Sequence, residues 1–145
     1  MAIIVWPSDC PQTVTVANHR QQIGDGRLRS DTDSGPGKVG RRFSSTIRPV
    51  VGDLIVTTSQ KIRIERFWDE DTQGGSLPFL FPAIGTNNCP LLDSDGAPFL
   101  DFDGGRILDS DWWLARFSDQ AEPPGFVPRG NSGEWTCSLA LQVLP

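Results

Sequence analysis

The chain has no tyrosine, one methionine and a single histidine, His19, among its 145 residues. Imidazole is a common base and metal ligand near neutral pH, so one copy argues against the triads and multi-histidine metal sites of most hydrolases. The three cysteines, Cys10, Cys89 and Cys137, lie far apart, cannot all pair and lack CxxC spacing, so they read as free thiols of a reducing compartment. Long hydrophobic runs are missing too. The longest near the start, residues 2–6, stops at Pro7 with no basic residue before it, so neither a signal-peptide core nor a membrane span is expected there. Nor does the sequence contain GxxxxGK[ST], HExxH or GxSxG, and its Gly24-Asp25-Gly26 and Gly35-Pro36-Gly37 do not open a periodic helix after a strand. A phosphate cradle, and with it a cofactor, is not expected.

What is present suits one folded core. Hydrophobic residues make up 37% and charged residues 21%, with eight phenylalanines and five tryptophans, too apolar for disorder and too evenly mixed for a membrane protein. The length is that of one domain, so residues 1–145 are read as a single unit. Its charge is divided unevenly. Residues 1–68 carry 10 Lys and Arg against 6 Asp and Glu, and residues 69–145 carry 3 against 12. Such a chain either neutralises itself internally or shows a basic and an acidic face to neighbouring copies. The basic stretch is Arg20, Arg27, Arg29, Lys38, Arg41, Arg42 and Arg48. Nucleic-acid binding would ask for interleaved aromatics or a recognition helix, and only Phe43 is there, so the stretch reads as an exposed or interface-facing region with no specific nucleic-acid role.

The element pattern is mainly β. Ile3-Ile4-Val5-Trp6 and Thr13-Val14-Thr15-Val16 read as short early strands. Residues 24–40 are dense in Gly, Asp, Ser and Pro and read as a mobile surface loop. Residues 41–58 read as a long strand or strand pair in which Pro49 demands an edge or a bulge. Residues 59–71 are the one expected helix, with Ser59 as N-cap, Ile64, Phe67 and Trp68 on its apolar stripe, and Gly74-Gly75 as the stop. The alternation Lys61-Ile62-Arg63-Ile64-Glu65 makes a strand the rival reading there. Residues 77–81 and 112–117 read as strands. The clearest is 134–144, which sets Trp135, Cys137, Leu139, Leu141 and Val143 on one face and Thr136, Ser138 and Gln142 on the other.

Between these lies a repeat of eight residues: Leu91-Leu92-Asp93-Ser94-Asp95-Gly96, then Phe99-Leu100-Asp101-Phe102-Asp103-Gly104, then Ile107-Leu108-Asp109-Ser110-Asp111. Two apolar residues followed by Asp-Gly suit a hairpin-like ladder, because glycine supplies the positive φ of a tight turn. The competing reading is calcium held by Asp93, Asp95, Asp101 and Asp103. No unit reaches the bidentate Glu that completes an EF-hand loop, so turn chemistry is favoured.

Catalytic readings are weak beside this. Cys10 or Cys137 with His19 would make a nucleophile and base, but Cys137 sits on the apolar face of its strand, where a thiol fills core. The acidic half holds enough carboxylates for a glycosidase pair, yet they sit in turns, where ordinary exposed acids are expected. Trp112 and Trp113 point to opposite faces of a strand, so one is expected to be buried and the other free for a sugar ring or a protein neighbour. A β-rich carbohydrate- or calcium-binding module is the alternative these residues offer.

The order of features also carries a resemblance. Ile23-Gly24-Asp25-Gly26 precedes an Arg-rich loop and a strand near 43–50; then come Arg66-Phe67-Trp68-Asp69-Glu70-Asp71, Gly74-Gly75, a Pro-bounded apolar strand and a final Trp-X-Cys-X-Leu-X-Leu-X-Val strand. Over residues 20–82 and 112–144 this resembles the minor tail proteins of long-tailed bacteriophages, the lambda tail-tip protein M and distal-tail group, with relatives in gene-transfer agents. Residues 91–111 depart from that pattern as an insertion. The resemblance implies a mainly β fold, a β-sandwich or tail-tube-like barrel, with one packed helix at 59–71. It implies no catalysis. It further implies a ring of copies, a hexamer, at the end of the tail tube in the virion, assembled in the host cytoplasm, with the tail-tube protein and the tip or baseplate hub as partners. The interface residues expected are Asp25, Arg27, Arg29, Arg41, Arg42 and Trp113.

Overall fold

A computed structural model of the chain describes residues 2–31 and 34–145. Its longest strands are β4 (Arg48–Thr57) and β8 (Glu134–Val143), paired antiparallel over their whole length from Arg48 opposite Val143 to Thr57 opposite Glu134. Both alternate. Val50, Leu54 and Val56 of β4 and Cys137, Leu139, Leu141 and Val143 of β8 are buried, so the period-two pattern becomes one wall of the core. β1 (Arg20–Gln21) lies on the other side of β4, and β6 (Trp112–Phe117) joins the C-terminal part of β8, followed by β5 (Phe79–Pro82). β7 (Gly125–Pro128) pairs with the N-terminal part of β8, on the edge that β6 leaves free. β2 (Arg27–Ser30) and β3 (Lys38–Arg41) form a separate two-stranded ribbon.

The helix is α1 (Thr58–Arg66), continued by a π-helical turn at Phe67–Asp71, so the strand reading of 61–65 is not adopted. Its cap is Thr57, not the expected Ser59. The Thr57 hydroxyl accepts from the Gln60 amide, and the Gln60 side chain accepts from the Thr57 amide at 3.0 Å, a reciprocal capping box. The expected stop holds: Gly75 has φ +77 and the Trp68 ring lies where a side chain would go. Lys61 sits 5.1 Å from the ring centres of both Phe126 and Trp135, tying α1 to β7 and β8.

Aromatic rings fill the space between helix and sheet. Phe79 lies 5.1 Å from Phe67 and 5.0 Å from Phe117, and Trp6 lies 5.4 Å from Phe67 and 5.1 Å from Phe81. Most of these pairs meet edge to face, the arrangement that ring quadrupoles favour. Trp6 arrives on the N-terminal segment, which among the described residues makes one parallel bridge, Val5 to Leu80, where a strand was expected. Residues 13–16 are likewise not a strand: Thr15 donates once to the Asp53 carbonyl, along the side of β4 that the two-residue β1 leaves open.

The mainly β class with one packed helix is therefore the observed fold. The barrel form is not adopted, because the sheets are antiparallel and open, with β1 and β5 at the ends of the main path. Pro49 is tolerated because its carbonyl accepts from Gln22, so its missing N–H faces that sparsely paired side and the ladder to β8 loses nothing. Gln142, expected on the solvent face, is buried; it accepts from Arg116 Nε at 2.9 Å and donates to Asp119 at 2.8 Å, so its amide is satisfied.

Candidate functional site

The expected interface residues are brought together except for one. Residues 24–40 are not the loop read from the sequence; 27–30 and 38–41 are the ribbon strands, and 32–33 lie outside the described residues. The ribbon's base is built by close packing. Gly24 and Gly26 lie so near Thr46 that a side chain at either would collide with it, and the Gly26 carbonyl accepts from the Arg42 and Phe43 amides at 2.8 and 3.2 Å.

Register then decides what the ribbon displays. Arg27 stands opposite Arg41 and Arg29 opposite Val39, which puts three guanidiniums on one face, while Leu28, Gly40, Ser30 and Lys38 share the other. Like charges directly opposite repel. Asp25 offsets this: its carboxylate accepts from Arg27 Nε at 2.8 Å and from Arg29 at 3.0 Å. The hydrogen bonds from the Arg27 side chain and amide hold the Asp25 carboxyl well below the usual carboxylate range. Arg41 turns to the Phe43 and Ser44 carbonyls at 3.1 and 2.9 Å, and Arg42 lies 5.1 Å over the Phe43 ring. Every ribbon residue is exposed.

Trp113 stands apart from this group. It is half-buried in β6 with Arg48 5.7 Å from its ring centre, and Trp112 is half-buried too, so the expected contrast between a buried and a free tryptophan is absent.

The repeat folds into a second appendage, with all residues from 91 to 110 exposed. Three backbone hydrogen bonds run in a cycle, Phe99 to Leu91, Leu91 to Ile107 and Ile107 to Phe99, each 2.9 Å. The corners match as well. Asp93 donates to Ala97 and Asp101 to Gly105; the third corner closes when Asp109 donates to Cys89, which precedes the repeat. Asn88, at φ 59, there takes the left-handed place that Gly96 (φ 82) and Gly104 (φ 83) hold. The hairpin-like expectation thus becomes a closed knob with pseudo-threefold symmetry.

Two of the expected calcium ligands serve this geometry. Asp93 Oδ1 accepts from the Asp95 and Ala97 amides at 2.9 Å, and Asp101 Oδ1 accepts from the Asp103 and Gly105 amides at 3.0 and 2.7 Å. Among the described residues no three acidic, cysteine or histidine side chains converge to hold a metal, so Asp93, Asp95, Asp101 and Asp103 do not form a metal cluster.

The nucleophile and base are not paired either. His19 Nδ1 lies 3.2 Å from the Val51 carbonyl and Nε2 lies 3.0 Å from the Gln21 amide. Burial pushes the Cys10 thiol up to about 11 and the Cys137 thiol up to about 12, so both are protonated near neutral pH.

The sequence signal missed for the ribbon was slight, since its strands have no buried face to impose alternation. For the knob the signal was the eight-residue period; the closing corner at 87–89 lies outside it. No family model, curated protein or solved structure matches the chain.

Proposed function

We propose that this protein is a structural component of a long-tailed phage tail tip, a subunit of a ring, hexameric by the resemblance, that joins the distal end of the tail tube to the tip or baseplate hub. In this reading it works through surfaces and carries out no reaction. The observation that supports it is the pair of wholly exposed appendages of opposite charge at one sheet: the basic ribbon and the acidic knob. Exposed apolar residues gathered on a protruding element mark contact surfaces, and complementary fields fix which surfaces meet. The order of the Gly-Asp-Gly turn, the helix with its Gly-Gly stop and the final strand supports the same reading.

The experiment is co-expression with the tail-tube and hub proteins encoded beside it, followed by electron microscopy of purified complexes. Rings capping tube ends are the expected result, with a tape-measure gene upstream of the coding sequence. A chain that joins neither partner overturns the proposal.

A further inference from the structure

The knob displays two apolar triads. Leu91, Phe99 and Ile107 carry the cyclic hydrogen bonds, and Leu92, Leu100 and Leu108 follow each of them in sequence, on the opposite face of an extended backbone. All six are between 41% and 56% exposed, and Phe102 at a corner is 98% exposed. Around these apolar groups stand six aspartates and one cation, Arg106. The ribbon has the opposite character: five cations against three aspartates over residues 24–43, with Leu28, Val39 and Phe43 more than half exposed.

Resting on the ring reading above, we propose that the ribbon of one copy docks on the knob of the next, with a second copy of this chain as the occupant. Two arguments carry it. First, the charges are complementary and both elements also offer apolar surface, so contact buries carbon area while pairing guanidiniums with carboxylates. Second, both rise from the same end of the sheet. The ribbon enters β4 at Arg48, the knob enters β6 at Trp112, and Arg48 stands over Trp113 at that end. A ribbon that reaches a neighbour's knob therefore sets the copies side by side at one level. The contact joins unlike surfaces, and repeated copies of such a contact close into a ring when the rotation between them allows.

Charge exchange tests this. Arg29→Glu with Arg42→Glu reverses the net charge of the ribbon; Asp95→Lys, Asp103→Lys and Asp109→Lys together reverse that of the knob without removing the Asp93 and Asp101 side chains that cap its turns. Sedimentation velocity of the full chain is expected to show association in the wild type. Each variant alone should associate at least about tenfold more weakly, since like charges then face each other. An equimolar mixture of the two variants should assemble again, because each supplies the surface the other lacks. Wild-type amide-exchange protection at 27–30, 38–41 and in the knob, beside an unchanged melting temperature, establishes that ribbon, knob and core are folded in the variants. Wild-type association that ignores both reversals overturns the ribbon-to-knob contact and leaves the ring reading standing; failure of the mixture to recover also overturns the contact. A wild type that stays monomeric overturns the ribbon-to-knob contact, and one that also joins neither the tube nor the hub protein overturns the ring reading.

Discussion

Asp25 and Arg27 form a two-point pair, Nε to Oδ1 at 2.8 Å and a terminal guanidinium nitrogen to Oδ2 at 3.1 Å, and the Arg27 amide donates to the same carboxylate at 3.1 Å. This pair lets Arg27 stand opposite Arg41 on a ribbon that has no buried face. Asp25→Ala is expected to loosen the ribbon and leave the core intact, seen as faster amide exchange at 27–30 and 38–41 with the melting temperature unmoved. The pH dependence has a definite sign. Because the folded carboxyl lies below its ordinary value, the ordering is fully present above about pH 4 and is lost as pH falls beneath that range. NMR titration of the ribbon amides checks it.

Thr57 and Ser59 separate two accounts of the helix start. With Thr57 as the cap, Thr57→Ala costs about 1 kcal/mol in denaturant unfolding, while Ser59→Ala, inside the first turn, leaves stability within about 0.5 kcal/mol.

Phe79 touches four other rings and is fully buried, so Phe79→Ala removes the centre of the aromatic core. A loss of about 3–5 kcal/mol is expected by urea unfolding.

In the knob, Asp101 acts as a turn acceptor. Asp101→Asn keeps the oxygen and should preserve the protection of the Asp103 and Gly105 amides, whereas Asp101→Ala should abolish it. Excess calcium should leave the melting temperature where it was; a rise would restore the metal-binding alternative.

Thiol reactivity checks the packing as well. Cys89 is exposed, whereas Cys10 and Cys137 are buried thiols, so a thiol reagent at neutral pH should label Cys89 rapidly and the other two only on unfolding.

These tests also mark what the residues disclosed. β8 was legible because one of its faces is core, and burial forces the alternation from Cys137 to Val143. The helix stop was legible because Gly75 has no room for a side chain. Its start was misplaced by two residues, although Thr57-x-x-Gln60 is a capping-box pattern in plain view. β2, β3 and β7 have little or no buried surface, so nothing in their composition distinguished strand from loop. In the candidate site the arginines were identified and Trp113 was not part of their group, because its neighbours come from β4 and from residues 21–23.

As proposed above, this chain acts by joining copies of itself and adjoining tail components. Sedimentation of the purified protein, alone and with the tail-tube protein, tests it most directly. A discrete closed oligomer that sheds subunits as salt rises is the predicted result. A single subunit at every concentration, indifferent to the tube protein, would contradict it.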